Sequence, residues 1–120
     1  MEQTLSFQKT FRYEILNDVS KATTVLYILH GYGQLAKFFI NKFSELDKDL
    51  LIVAPEGMHR FYRKGNSGRV GASWMTSEAR EVDIADNMEW LTELDRIISS
   101  KYPIEKRIVL GFSQGGSTAA

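Results

Sequence analysis

The sequence predicts an α/β fold of the doubly wound type, with a mostly parallel sheet between helices. Three observations predict it. Thr23 to Leu29 (TTVLYIL) and Leu50 to Ala54 (LLIVA) are short β-branched or apolar runs without polar alternation, as expected of strands covered on both faces. Segments of helical spacing separate such runs, which argues for βαβ units. The long polar-faced segment Ser77 to Lys101 leads into a further apolar run at Ile108 to Leu110.

Taken in order, residues 4–16 place Leu5, Phe7, Phe11, Tyr13 and Ile15 on one parity, with Lys9 interrupting. That is the period of a half-buried strand, one long or two joined near Lys9-Thr10. Asn17 to Ala22 is a polar loop, and the strand Thr23 to Leu29 follows. His30-Gly31-Tyr32-Gly33 breaks it, and Ala36 to Leu46 resumes with Phe39, Ile40, Phe43 and Leu46 at helical spacing. The next strand ends at Pro55-Glu56-Gly57.

Glu56 to Trp74 reads as one long irregular loop with glycines at 57, 65, 68 and 71. Loops longer than about 12–15 residues are commonly functional or disordered. Arg60, Arg63, Lys64 and Arg69 are interleaved there with Phe61 and Tyr62, a pattern that fits an anion contact or a solvated loop. In Ser77 to Lys101, Ile84, Met88, Leu91, Leu94 and Ile98 repeat at helical spacing, and Thr76 or Ser77 is placed to cap the start. Asp83, Asp86, Glu89, Glu93 and Asp95 read as its solvated face rather than a metal site.

The composition bounds the function. The 120 residues suit one domain, and 43% hydrophobic with 25% charged residues is ordinary for a soluble globular protein. Formal net charge is zero, so no global field attracts nucleic acid or an anionic membrane. The absence of cysteine excludes disulfides, thiolate metal sites and a cysteine nucleophile. No run approaches a membrane span and the N-terminus lacks the apolar core of a signal peptide, so the expectation is a soluble, cytoplasmic chain.

The chemistry concentrates at Arg107 to Ala120, RIVLGFSQGGSTAA. A strand at 107–112 runs into Gly111-Phe112-Ser113-Gln114-Gly115, a Gly-x-Ser-x-Gly, and Gly116 to Ala120 can open a helix. Strand, sharp turn and helix are the context of a nucleophile elbow, whose strained turn lifts the serine hydroxyl above the sheet. A serine nucleophile needs a base and preorganised donors for the developing oxyanion. The N–H of Gln114 is one donor by position. The loop after the early central strand supplies the other, and the N–H of Tyr32 is the candidate, with Gly33 and Gln34 shaping the loop.

HGYG after one strand, APEG after the next, GASWMT before a long acidic helix, and GFSQGG after the third together resemble the α/β-hydrolase fold, a three-layer αβα arrangement. More narrowly, they resemble the phospholipase/carboxylesterase family of small serine esterases, which includes acyl-protein thioesterases. The resemblance covers residues 23–120. It implies hydrolysis of a small-molecule carboxylic ester or thioester through an acyl-serine intermediate, with no cofactor and no metal. Ser113 carries over as nucleophile. Tyr32, Phe38, Phe39, Trp74 and Met75 are candidates to line an acyl pocket near the oxyanion loop, with core packing the competing role for Phe39 and Trp74.

In this fold the acid and the histidine follow the serine, and here only Gln114 and GGSTAA follow it, with no later Asp, Glu or His. The two histidines, His30 and His59, both precede it, and the resemblance implies a structural role for His30. The expectation is therefore the N-terminal part of a longer hydrolase, inactive alone, with an exposed hydrophobic strand edge that favours association of copies. Competing readings remain. Gly31, Gly33 and Ala36 fit a dinucleotide-binding G-x-G-x-x-G/A with Glu56 as the ribose acid. Gly111 to Gly116 has phosphate-loop spacing, with Ser117 where the lysine belongs. A hydrolase-fold fragment without catalysis is the third.

Overall fold

The computed structural model describes residues 1–115, and the helix expected from Gly116 to Ala120 lies outside them. Six strands and two helices are formed: β1 (Tyr13–Leu16), β2 (Thr24–Leu29), α1 (Ala36–Phe39, extended by a 3₁₀ turn over Ile40–Phe43), β3 (Leu51–Pro55), β4 (His59–Lys64), β5 (Ser67–Ser73), α2 (Arg80–Lys101) and β6 (Lys106–Gly111). The main sheet has the order β1-β3-β2-β6. β2 is parallel to both β3 and β6, and β1 is antiparallel to β3. The chain is thus α/β with a mostly parallel sheet.

β2 and β3 are central because they are apolar on both faces. Val25, Tyr27, Leu51 and Val53 point to one side, where Leu94, Ile98 and Tyr102 cover them. Leu26, Ile28, Ile52 and Ala54 point to the other, against Ala36, Phe39 and Ile40. The alternation of side chains along a strand converts two continuous apolar runs into two cores. Each large side chain fully buried in them contributes roughly 1.5–3 kcal/mol.

Asp95 of α2 accepts hydrogen bonds from Tyr27 Oη (2.6 Å) and Arg107 Nε (2.9 Å), tying helix, β2 and β6 together. Burial and that bond push the Tyr27 hydroxyl far above its ordinary pKa. Asp95 is therefore a structural acceptor and not part of a purely solvated face.

Four sequence expectations change. The N-terminal strand shortens to Tyr13–Leu16, because β3 offers register partners only from Leu16↔Ile52 to Tyr13↔Pro55. Residues 1–12 carry the right parity without a neighbouring strand to use it, and Leu5 and Phe7 are exposed. The helix expected over 36–46 is one short α turn and a 3₁₀ turn. The presumed loop 56–74 holds the antiparallel hairpin β4–β5, with Gly65-Asn66 between the paired residues Lys64 and Ser67. Finally, α2 begins at Arg80 after Ala79 in the left-handed region (φ 54), with no side-chain cap from Thr76 or Ser77.

The buried face of α2 also differs from the apolar stripe read off the sequence. Leu94 and Ile98 are buried as expected, but one turn after another toward the N-terminus it is Asn87 and Asp83 that face inward, while Met88 is 69% exposed. The polar pair is inside because it serves backbone. Asn87 Nδ2 donates to Trp74 O (3.0 Å), and Asp83 Oδ2 accepts from Thr76 N (3.2 Å).

Among the described residues, no helix is long and apolar enough to cross a membrane. Among the described residues β6 pairs with β2 alone, and Val109, Leu110 and Phe112 are exposed there. Such an edge is a template for pairing with another strand. We expect the chain to elute ahead of a monomer in size-exclusion chromatography, and Val109→Lys to shift it toward monomer. A concentration-independent monomer would rule this edge out as a self-association surface.

Candidate active site

The elbow sits where β6 leaves the sheet. Phe112 N still donates to Leu29 O (3.1 Å), which continues the β2–β6 ladder by one residue. Ser113 then adopts φ 56, the left-handed region that a residue with a Cβ occupies at a cost of order 1–3 kcal/mol. Gln114 and Gly115 start a helical turn, and Gly115 N donates to Phe112 O (2.9 Å). A Cβ at Gly115 would lie 2.2 Å from Leu29 O and 2.5 Å from His30 O, so no other residue fits without displacing the end of β2. The glycine two places after the serine is thus set by backbone against backbone. Ser113 is exposed, and its hydroxyl has no hydrogen-bond partner among the described residues.

The loop after β2 meets this turn. A Cβ at Gly31 would be 3.3 Å from Ser113 Cβ and 3.2 Å from Phe112 O. Gly31 N donates to Gln34 Oε1 (2.7 Å), while Gly33 N donates to Ala72 O (2.9 Å) and Ala72 N to Gln34 O (3.0 Å). β5 therefore fixes the loop from the side, and Gly71 permits it, since a Cβ there would fall 2.4 Å from Gly33 O. With Gly31 and Gly33 engaged, the Tyr32 N–H is the amide of this turn that has no partner among the described residues. Its ring is exposed and stacks on Phe61 at 5.0 Å.

His30 holds these pieces together. It is fully buried, its Nδ1–H donates to Gly31 O (2.8 Å), and its Nε2 accepts from Gly57 N (2.9 Å). That pair of bonds fixes the neutral Nδ1–H tautomer. Burial lowers its pKa below the ordinary 6.5, against the opposing pull of Gly31 O and Glu56. Trp74 stacks on the imidazole at 5.0 Å, and its indole N–H donates to His30 O (2.8 Å). Both ring nitrogens are thus committed to structure.

His59 lies elsewhere, at the start of β4. Its Nε2 is 3.0 Å from Asp83 Oδ2, an ion-pair distance without the alignment of a hydrogen bond. Asp83 is buried, so this acid is no longer a solvated one. Among the described residues, neither histidine and no carboxylate hydrogen-bonds to Ser113, and no group of three metal-ligating side chains occurs.

The Gln114 side chain is a clamp that the sequence did not announce. Oε1 accepts from Trp74 N (2.7 Å) and Ser73 Oγ (3.2 Å), and Nε2 donates to Met75 O (2.9 Å). It anchors the elbow to the end of β5. The acyl-pocket candidates separate. Trp74 has no exposed surface and supports the site as core. Phe39 is likewise buried, with Phe112 against its ring at 5.1 Å. Met75 is half-buried and shares a small cavity of about 260 Å³ with Gln114 and Arg80. Phe38 is exposed and lines a larger groove of about 690 Å³ with Gln34, beside the oxyanion-loop candidate.

The dinucleotide pattern finds no site. Glu56 is buried, bonded by Arg12 Nε (2.8 Å) and approached by Arg60 (3.6 Å), and its other oxygen accepts from Ala36 N (3.3 Å). The acid meant for a ribose is turned inward and occupies the start of α1, itself a single turn. The phosphate-loop pattern depends on residues beyond 115. No protein-family model matches the chain, and no curated protein is significantly similar to it.

Two expectations follow. Gln114→Ala leaves the buried Trp74 N–H unpaired and should cost about 1–3 kcal/mol in chemical denaturation, with faster exchange of that amide; unchanged stability and exchange would show the clamp to be dispensable. For His30, a folded-state pKa below the unfolded one means that the unfolded chain binds more protons as pH falls below about 6.5. Its contribution is complete above that value and is lost on acidification. The melting temperature should fall from pH 7 to pH 5, and His30→Gln should flatten that slope.

Proposed function

We propose that this chain carries the nucleophile and oxyanion half of a serine hydrolase of the α/β-hydrolase type, akin to the phospholipase/carboxylesterase family, acting on carboxylic esters or thioesters. The observation that carries the reading is Ser113 itself. A non-glycine residue at φ 56, between a parallel strand and a helical turn, with its hydroxyl exposed and Gly31 beside it, is the geometry a nucleophile elbow requires.

In this reading Ser113 Oγ attacks the acyl carbonyl and gives its proton to a base. The carbonyl π pair becomes an oxyanion held by the N–H groups of Tyr32 and Gln114, each such donor being worth about 3–4 kcal/mol of barrier. Collapse re-forms the carbonyl and expels the alcohol or thiol, which takes up the proton. Water then attacks the acyl-serine by the same route. The committed imidazole of His30 and the Asp83-directed His59 are not the base. The base and its acid partner come, in the family's chain order, after the serine.

The 120-residue chain by itself should therefore turn over p-nitrophenyl acetate no faster than its Ser113→Ala variant. Expressed with whatever coding sequence follows Ala120, it should be labelled by a fluorophosphonate at Ser113, and the Ser113→Ala variant should not. Turnover by the chain alone that vanishes in His59→Ala or His30→Ala would move the base into these residues. Failure of the longer protein to label would remove the hydrolase reading.

A further inference from the structure

The groove beside the oxyanion-loop candidate has a charge that the reaction does not explain. It lies between α1 and the β4–β5 hairpin, and its walls include Lys37, Lys42, Arg63 and Arg69, with no acidic residue among them. The chain as a whole balances 15 basic against 15 acidic residues, so four cations without an acid are a local arrangement and not a reflection of composition. Four of the other five arginines are paired, Arg12 and Arg60 with Glu56, Arg96 with Glu93, and Arg107 with Asp95; Arg80 is the exception among the described residues. Lys37, Lys42, Arg63 and Arg69 have no carboxylate within ion-pair distance among the described residues. Two of them instead rest on the aromatic floor, Lys37 Nζ 5.1 Å from the Phe38 ring centre and Lys42 Nζ 5.6 Å from that of Phe39.

Bringing like charges together on a folded surface costs free energy unless an anion compensates them. The residue types suit one. Two guanidinium groups offer planar forks that fit carboxylate or phosphate oxygens, and the two ammonium groups add mobile point charges. The groove also shares Gly33 and Gln34 with the loop whose Gly31 abuts Ser113. That shared loop is the structural link between the groove and the serine.

We propose that the groove formed by Lys37, Lys42, Arg63 and Arg69 binds the phosphate or carboxylate group of the substrate, so that the enzyme acts on anionic acyl esters or thioesters in preference to neutral ones. The substrate role rests on the hydrolase reading above; the anion site does not. Phe38 and Val70 supply apolar surface for the carbon skeleton between the anion and the ester.

Isothermal titration with pyrophosphate and with citrate tests the site without catalysis. At least one should bind, more weakly as NaCl is raised, and Arg63→Gln/Arg69→Gln should weaken it at least tenfold, while Lys101→Gln on α2 leaves it unchanged. All these positions are exposed, so the variants should keep the melting temperature of the parent. Pyrophosphate binding alone identifies a phosphate site, citrate alone a carboxylate site. No binding of either, or binding indifferent to Arg63 and Arg69, overturns the proposal. In the longer protein, the double variant should lower kcat/KM at least tenfold for mono-p-nitrophenyl glutarate and little for p-nitrophenyl butyrate; equal losses would overturn the substrate role. Anion binding that persists in a protein whose Ser113 is never labelled would sink the hydrolase reading and leave the anion site standing.

Discussion

A neutral imidazole at the end of β2 is the constraint on which the candidate site depends. His30 reaches the strand after it in sequence through Gly57 N, its own loop through Gly31 O, and the hairpin through Trp74, which both stacks on the ring and bonds its carbonyl. The same carbonyl, with that of Leu29, crowds Gly115 in the elbow. Four segments far apart in the chain are therefore registered on one residue. Only the uncharged ring can do this, because Nε2 must accept while Nδ1 donates. A protonated ring would turn an acceptor into a second donor facing the Gly57 amide.

Around that hub the polar contacts work as spacers between layers. Gln114 fastens the elbow to β5, Asn87 and Asp83 fasten α2 to the segment after β5, and Glu56 links the N-terminal Arg12 to the start of α1. Each of these polar groups finds a backbone or charged partner, which is the condition for keeping it inside at all. The result is a bonded frame beside Ser113, which stays exposed, with the Tyr32 N–H unpartnered among the described residues. The basic groove shares Gly33 and Gln34 with the oxyanion-loop candidate, while its cations, Lys37, Lys42, Arg63 and Arg69, take no part in these hydrogen bonds.

Charge is distributed by the same logic. The hairpin and α1 carry no acid of their own, and the nearby acids are already engaged, Glu56 by Arg12 and Arg60 and Asp95 by Arg107. A neutral chain thereby acquires a strongly basic groove. Composition could not reveal this, because net charge is a sum and the groove is a partition.

What the sequence determined by itself is whatever is local or periodic. Apolar runs within 24–29, 51–55 and 106–111 made strands, and the lack of alternation in the first two placed them between two layers. Gly-x-Ser-x-Gly carried its own geometry, since the left-handed serine and the crowded Gly115 are consequences of neighbours in the chain meeting the adjacent strand. The hairpin was legible in part: Gly65-Asn66 between alternating residues is a two-residue turn signal, outweighed by the surrounding glycines. Tertiary structure decided the rest. Parity over residues 4–12 could not say that no strand would lie beside them, and helical spacing in α2 could not say that Asp83 and Asn87 would be wanted inside. The partners of Gln114, Glu56 and His30 lie tens of residues away. A pairwise contact of that separation leaves no mark on local sequence; it exists only once the sheet order has brought its two ends together.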